Sequence, residues 1–369
     1  MTLVCGKYWI ADCGLNNKFE NGKRSGIVEG IKIIQFDLNY SNSLSFLKRT
    51  IVFLKFSLKS ILLSLTLNYD VIFATSTPLT IGIPGIFSRL LRKKKFIFEV
   101  RDLWPELPRE MGVITNPIIL KAMDILETVT YKYSDACIGL SPGIVSGIKK
   151  KSSGKRVELI PNGCDLDIVK NIHKEKKKGS KLIAAFAGAH GYANGLDSVL
   201  DVAKLLLEKN ETDIEFQFIG DGVLKPNLIE RKHKENLDNC VFIDPLPKIE
   251  LFNYLNSNVD IGLMILNDVP AFYYGTSPNK FFDYISLGLP VINNYPGWLA
   301  EMINENKCGK TVPPGNINDF ANTLIHLRDN NVLLKEMGRY SSLLAKEQFN
   351  RKKLSTHFVD FLESVVISK

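Results

Sequence analysis

The sequence has few cysteines, and their spacing suits neither a metal site nor a disulfide framework. Six cysteines are spread over 369 residues without a Cys-x-x-Cys pair. This excludes the common structural zinc patterns and gives no support for a small secreted domain held by disulfides. The N-terminus also lacks the pattern of a signal peptide, so we expect a protein of the reducing cytoplasm.

A long uninterrupted apolar run is also missing. The most apolar stretch, residues 45–66, has the pattern of a helix, but it contains four basic residues: Lys48, Arg49, Lys55 and Lys59. A membrane span needs about 20 predominantly apolar residues, so this segment is not one. Two alternatives fit it equally: a helix lying in a membrane interface, or a core helix with one solvated edge.

Acidic residues are scarce in the first half of the chain. Residues 1–170 contain 24 Lys and Arg against 15 Asp and Glu, whereas residues 171–369 contain 23 against 24. A nucleic-acid partner is not expected, because the aromatic residues are not interleaved with the basic clusters as a stacking surface requires. We expect the basic half to face an anionic membrane surface.

The rest of the chain alternates short apolar strands with helices, which is typical of parallel sheets covered on both faces. With 45% hydrophobic residues, the length suffices for two α/β domains. A Lys-rich stretch at 171–181 marks the boundary, so we predict domains at 1–172 and 173–349. Two doubly wound, Rossmann-like domains would face each other across a cleft. We expect the final helix, within 350–369, to pack back on the first domain.

The most informative stretch is residues 273–292, which predicts a loop, a helix and a strand. Ser277 is an N-cap candidate, Pro278 suits a first turn, and Gly288 with Pro290 is a stop signal. The free N–H groups at such a helix start favour an anion, and Lys280 adds a positive charge one turn in. The sequence therefore predicts a phosphate site here, although a plain turn rich in small residues is the alternative.

Residues 277–284 (SPNKFFDY) resemble the signature of the retaining glycosyltransferases of family 4, which have the GT-B fold. The residues of this motif are most similar to those of a bacterial surface-polysaccharide branch of the family, related to N-acetyl-L-fucosamine transferases of O-antigen pathways. In the family, two acids with seven residues between them hold the donor sugar and the ribose. Asp283 matches the second acid, and Gly275 stands where the first would be.

The resemblance implies a transferase that moves a sugar from a nucleotide diphosphate, most often UDP, to a lipid-linked saccharide of O-antigen or capsule. It implies no cofactor and no required metal, and a cytoplasmic enzyme held peripherally at the inner membrane. The expected donor-binding residues are Gly188, Gly191, Asn194, Gly220, Asp221, Gly222, Pro245, Leu246, Thr276, Ser277, Asn279, Lys280 and Asp283. The family's mechanism is a front-face displacement assisted by the leaving phosphate.

Three residues are expected to be catalytic: Asp102, His190 and Lys280. In the family, the glycine loop after the first strand of the second domain usually carries an Arg, for which this chain has Tyr192. Lys280 and the helix end must then neutralise more of the phosphate charge. His190 is one of the polar groups left in this loop, with a satisfied turn histidine as the alternative.

The first domain contributes an unusual charged string at residues 98–106 (FEVRDLWPE). Charges and a Trp at the end of a buried strand are costly unless they face a wet cleft. The resemblance places the acceptor side here, with Arg101, Asp102, Trp104 and Glu106. The alternative is an ion pair of Arg101 with Asp102 or Glu99 that ties the loop down.

Asp165 and Asp167 form an Asp-x-Asp, a pattern that binds divalent metals in the other glycosyltransferase fold. It follows Pro161-Asn162-Gly163, where the family has a structural turn. We therefore expect Asp165 to accept a loop-closing hydrogen bond.

Two other functions fit the same fold. One is a sugar-nucleotide 2-epimerase, and the other is a truncated, non-catalytic member that only binds nucleotide sugars. Relatives open with a strand, glycine loop and helix that this chain lacks, since Leu3-Val4-Cys5 matches their second strand. Because that first strand is central in a doubly wound sheet, we expect two unpaired strand edges and a poorly stable first domain.

Overall fold

The computed structural model describes residues 1–8, 12–41, 44–170 and 181–367. The strands are β1 Thr2–Tyr8, β2 Lys23–Val28, β3 Ile31–Tyr40, β4 Val71–Thr75, β5 Lys95–Val100, β6 Ala136–Gly139, β7 Val157–Leu159, β8 Leu182–Ala187, β9 Ile214–Ile219, β10 Cys240–Ile243, β11 Ile261–Met264, β12 Val291–Asn293 and β13 Gly309–Thr311. The helices are α1 Phe46–Thr66, α2 Gly82–Arg92, α3 Glu106–Glu110, α4 Pro117–Tyr133, α5 Pro142–Lys151, α6 Leu166–Lys170, α7 Asp197–Glu208, α8 Lys225–Lys234, α9 Lys248–Asn258, α10 Pro270–Gly275, α11 Asn279–Ser286, α12 Trp298–Glu305, α13 Ile317–Asp329, α14 Asn331–Glu347 and α15 Arg351–Ile367.

The part of the chain before residue 171 forms two separate sheets, ordered β1-β3-β2 and β4-β5-β6-β7. β1 is parallel to β3, and the second sheet is parallel throughout. No strand in the described ranges joins β1 to β4, so each is an edge strand, and the first half of the chain has the two unpaired strand edges that we expected.

The polar segment between β1 and β3 is rich in Gly and Asn, a composition that favours a loop, but it contains β2. β2 pairs antiparallel with β3. Glu29 and Gly30, which join the two strands, have φ angles of 50° and 79°. Two consecutive positive φ values are typical of a tight hairpin turn, and the twist of that turn suits antiparallel pairing.

Residues 182–311 contribute a six-stranded parallel sheet, ordered β10-β9-β8-β11-β12-β13. Buried apolar side chains cover both of its faces, as the nearly continuous apolar strands require. The chain winds outward from β8 to β10 and then returns to β11, so the strand order reverses between β8 and β11. Ligands of such sheets bind outside the carboxyl ends of the strands at this reversal.

The last helix, α15, crosses back to the first half of the chain. Its Phe361 and Val365 are buried against Ile97 and Ile138 of β5 and β6. The ring of Phe358 lies edge-on to Phe73 of β4, 5.1 Å between centroids. The predicted boundary at 171–181 falls almost wholly outside the described residues, as do the last two residues of the predicted 350–369 helix.

Candidate functional site

The loops after β8 and β9 meet at the strand reversal. The N–H of Gly188 donates to the carbonyl of Ile219 (2.9 Å), and the N–H of His190 donates to that of Asp221 (2.9 Å). Gly220 has a φ of 144°, and a Cβ at this position would lie 2.0 Å from the Gly188 carbonyl oxygen. Glycine is therefore required for the close approach of these two predicted donor loops.

Lys280 reaches this loop from α11. Its Nζ donates to Oδ1 of Asn194 (2.8 Å) and lies 3.9 Å from the ring centroid of Phe186. No carboxylate in the described ranges lies within 4 Å of it. Removal from water lowers the pKa of Lys280 to about 7. A lysine without a counterion beside a glycine loop is suited to an anion.

The start of α11 differs from the prediction. The helix begins at Asn279, and the side chain of Ser277 does not cap it. The Ser277 hydroxyl instead accepts from the N–H of Asn162 (3.2 Å), and the Asn162 amide donates to the Ser277 carbonyl. No side chain in the described residues caps α11, so its positive dipole end remains available to a ligand.

The segment before α11 is fixed on both sides. Thr276 was predicted to contact the sugar donor. Its hydroxyl donates a hydrogen bond to the Phe272 carbonyl (3.0 Å), and its own carbonyl accepts one from Trp298 Nε1 (2.7 Å). A Cβ at Gly275 would meet nothing within 4 Å. The position at which the family has its first acid is therefore open space in this protein.

Asp283 pairs with Lys248, which sequence reasoning had not considered. Nζ of Lys248 lies 2.6 Å from Oδ1 of Asp283, whose side chain is 14% exposed. Burial raises the pKa of Asp283, and Lys248 opposes the rise. Lys280 lies three residues before Asp283 on the same helix but does not pair with it, because its side chain turns to the glycine loop.

His190 does not face the cleft, which corrects its assignment as a catalytic residue. Its side chain is fully buried among Phe186, Phe218 and Phe242, with ring centroids 6.0 to 6.4 Å away. Both ring nitrogens lack a partner in the described residues. Burial lowers the pKa of His190 to about 4, so the ring is neutral at physiological pH. The neutral ring packs in the core with these three phenylalanine rings.

A cavity of about 580 Å³ adjoins the same edge of the sheet, and several predicted donor contacts line it. Its lining is Asp221, Gly222, Lys225, Pro226, Ile229, Glu230, Asp244 and Pro245. Lys225, which was not predicted, donates to the Gly220 carbonyl (2.9 Å) and to Asp244 (2.7 Å). Leu246 packs against the core instead. Gly191, at the turn of the glycine loop, accepts from the N–H of Asn194 (3.0 Å).

A larger cavity, of about 1140 Å³, lies away from these loops. It is bounded by residues 164–170 and by the start of α15. We place the site at the strand reversal despite the smaller cavity, because the unpaired lysine and the helix end lie there.

The acceptor-side string lies at the carboxyl end of β5. Asp102 accepts from the hydroxyl of Thr77 (3.1 Å), and burial raises the pKa of Asp102. Neither suggested pair of Arg101 forms in the described residues. Its N–H donates to Ser76 (3.0 Å), and Glu99 accepts from Thr75.

A buried carboxylate holds the end of this string. The N–H of Trp104 donates to Glu127 (3.2 Å), which is 1% exposed and also paired with Lys151. Glu106 is the first residue of α3. The string is thus anchored through its backbone, and the side chains of Arg101 and Asp102 are only partly covered.

Contacts between the two halves converge on α10, just before the predicted phosphate site. Oε2 of Glu110 accepts from the N–H at Ala271 (2.8 Å), and the Ser141 hydroxyl donates to the Tyr274 carbonyl. These contacts join residues 161 and 133 positions apart, so no local pattern could have revealed them.

Both carboxylates of the Asp-x-Asp pair with basic side chains of the protein itself. Asp165 accepts from Arg351 at the start of α15, as expected of a loop-closing acceptor. Asp167 pairs with Lys352 (2.8 Å) and Lys170 (3.2 Å). In the described ranges, no group of three or more His, Cys, Asp or Glu is placed to hold a metal ion.

Comparison with known proteins gives a family match for the second half of the chain. Residues 167–343 match the model of the group 1 glycosyl transferases. The poly(ribitol-phosphate) alpha-N-acetylglucosaminyltransferase of Staphylococcus aureus (strain COL) is 24% identical over 174 residues, which are 46% of this chain and 33% of that protein. The match thus spans about a third of this relative. Both similarities support a glycosyltransferase.

Solved structures match nearly the whole chain. Sucrose-phosphate synthase from Thermosynechococcus elongatus has a TM-score of 0.72 at 14% identity, covering 94% of this chain and 86% of its own. An E. coli structure described as "Trehalose-6-phosphate … bound with UDP-2-fluoro glucose" has a TM-score of 0.71 at 11% identity, covering 100% of both chains. These likenesses confirm the predicted fold: GT-B, with two Rossmann-like domains.

Proposed function

We propose that this protein is a retaining glycosyltransferase that moves a sugar from a UDP-linked donor to a lipid-linked saccharide of a bacterial surface polysaccharide. The observation that carries the proposal is Lys280, which has no carboxylate partner among the described residues and extends from the start of α11 to the glycine loop. The group 1 family match covers this same region. The resemblance of residues 277–284 to the O-antigen branch of family 4 supports the acceptor class.

The chemistry assigned to this chain is mainly electrostatic. Lys280 and the amides at the start of α11 stabilise the leaving diphosphate, which accepts the proton of the attacking hydroxyl on the same face of the sugar. Stabilising charge where it develops is usually the largest contribution to such a rate. Asp102, partly covered and hydrogen-bonded by Thr77, is placed to orient the acceptor side. Because Gly275 leaves the first-acid position open, no carboxylate there holds the sugar.

The test of the function has two stages. A thermal-shift panel of nucleotide sugars identifies the donor, since a ligand at 100 times its Kd adds about 2.7 kcal/mol of stability. The stabilising donor is then incubated with and without lipid-linked acceptors. Transfer confirms the proposal. A changed sugar from donor alone indicates a 2-epimerase, and binding without any reaction indicates a non-catalytic member.

We also propose that α1 binds an anionic membrane surface. The face of α1 that packs on the protein carries serines at 57, 60 and 64. Its outer face exposes five large apolar residues at helical spacing: Leu47, Ile51, Leu54, Leu58 and Leu62, with exposures of 43 to 68%. Phe87, Leu90 and Leu91 are exposed on α2, which packs against α1. No helix in the described ranges is long and apolar enough to cross a membrane.

The basic residues of α1 flank this stripe unequally. Lys48 and Lys55 are exposed beside it. Lys59 instead lies 5.5 Å from the ring of Phe36, and Nε of Arg49 is buried. An exposed apolar stripe with lysines along one edge is typical of a helix in the membrane interface. Of the four basic residues of α1, Arg49 and Lys59 therefore face away from the stripe.

We expect the double variant Leu58→Gln/Leu62→Gln to lose vesicle binding more than Lys48→Gln/Lys55→Gln. Burying a leucine contributes about 1.5–3 kcal/mol, whereas each lysine near an anionic leaflet contributes about 1 kcal/mol. The measurement is co-sedimentation with phosphatidylglycerol-containing vesicles across salt, and only the lysine contribution should fall as salt rises. Unchanged partitioning in both variants would show that α1 does not contact lipid.

A further inference from the structure

Lys248 and Asp283 come from different βα units and meet at the candidate donor site. Lys248 is the first residue of α9, which follows β10, whereas Asp283 lies one turn into α11. Their charged atoms are 2.6 Å apart. The Lys248 ammonium also lies 4.4 Å from the ring centroid of Phe252, which restricts its position. The contact thus fixes the relative positions of two loops at the mouth of the sheet.

The other charged and titratable groups near Asp283 do little to stabilise its ionised form, so the contact with Lys248 matters most. Asp165 repels its charge, and Arg351 attracts it but is itself paired with Asp165. Burial raises the pKa of the Cys164 thiol and of the Tyr284 hydroxyl, and the Asp283 charge raises the pKa of both further. Lys248 is the only cation hydrogen-bonded to Asp283 in the part of the chain that the structure describes.

A carboxylate that is 14% exposed is expensive to keep ionised without a partner. Removing the cation would favour proton uptake by the carboxyl group. A protonated carboxyl group has less capacity to accept hydrogen bonds, and a ribose presents two hydroxyl donors.

We propose that Lys248 is a positioning residue that keeps Asp283 ionised and oriented to accept hydrogen bonds from the ribose of the donor. The inference rests on the proposed function, since it takes a nucleoside diphosphate as the ligand. Lys248 acts through Asp283 and makes no direct contact with the reacting atoms.

The test compares UDP with inorganic pyrophosphate, which has no ribose, by titration calorimetry between pH 5 and 8. In Lys248→Met we expect UDP to bind about tenfold more weakly at pH 5, the loss of one charge-assisted hydrogen bond, with recovery as pH rises. The loss is greatest at low pH because, without the cation, burial favours the protonated form of the Asp283 carboxyl group there. Since the terminal phosphate of UDP itself titrates near pH 6, the readout is the ratio of variant to wild-type Kd.

Three controls make the result specific. Lys248→Arg should restore wild-type behaviour. Lys248→Met should add nothing to Asp283→Asn, whose loss of UDP affinity should not depend on pH. Lys310→Met, which changes an exposed lysine of β13, should bind both ligands normally. Pyrophosphate affinity should be unchanged in all of them.

Equal losses of UDP and pyrophosphate, or a ratio independent of pH, would assign Lys248 a merely structural role and overturn the inference. These outcomes would not contradict the proposed function, because the wild-type protein would still bind UDP. If the wild-type protein binds neither UDP nor pyrophosphate, the proposed function itself fails.

Discussion

Lys280→Met should weaken UDP binding by about 10- to 150-fold, because a contact between a cation and phosphate contributes roughly 1.5–3 kcal/mol. The loss should extend to pyrophosphate, since the diphosphate is the part of the ligand that Lys280 contacts. Lys310→Met, which replaces an exposed lysine of the same domain, is the matched control. Affinity within twofold of wild type, measured by titration calorimetry, would remove Lys280 from the site.

The same lysine should make diphosphate binding depend on pH. The pKa of Lys280 is about 7 in the free protein, and a bound anion raises it by favouring the charged form. The complex then holds a proton that the free protein loses above pH 7. Affinity should therefore fall by up to about tenfold per pH unit as pH rises from 7 towards 9. Lys280→Arg, which cannot lose its charge, should bind with little change over this range.

Gly220→Ala should destabilise the second domain by roughly 2–6 kcal/mol, the sum of a strained φ and a forced displacement in packed surroundings. The added Cβ would lie 2.0 Å from the Gly188 carbonyl oxygen, and backbone cannot yield as a flexible side chain can. The loops after β8 and β9 would separate, so UDP affinity should fall as well. Urea denaturation followed by circular dichroism gives the stability, and calorimetry gives the affinity.

Gly191→Ala is the control for this prediction. Gly191 lies in the same loop with a φ of −119°, which any residue adopts, and a Cβ there meets nothing within 4 Å. Its stability should stay within about 1 kcal/mol of wild type. If both variants unfold at the same urea concentration as wild type, the close approach of the two loops is not required.

The sequence predicted those parts of the protein that depend on neighbouring residues. Apolar strands of a few residues between helices predicted the parallel sheets, and α1 was expected at 45–66 and is found at Phe46–Thr66. Residues 277–284 predicted the short helix α11, which is found at Asn279–Ser286. β2 was missed, because its exposed and half-buried residues have the composition of a loop.

Local patterns also left the direction of individual side chains undetermined. The apolar residues of α1 could have been core or surface, and only packing showed that its serines face the protein. His190 looked available because histidine and glycine suit a loop at a ligand. The rings of Phe186, Phe218 and Phe242, which enclose it, come from three different strands.

What the sequence by itself determined was most of the helices and strands and the parallel arrangement of the larger sheets, because backbone preferences and hydrophobic periodicity act over a few residues. The tertiary structure alone decided which charges and hydroxyls meet. Asp283 took Lys248, 35 positions away, rather than Lys280 at three, and Ser277 took Asn162, 115 positions away, rather than its own helix. Such partners are chosen by the packing of whole βα units against one another, where the desolvation of each polar group must be balanced by whichever partner the fold brings within reach.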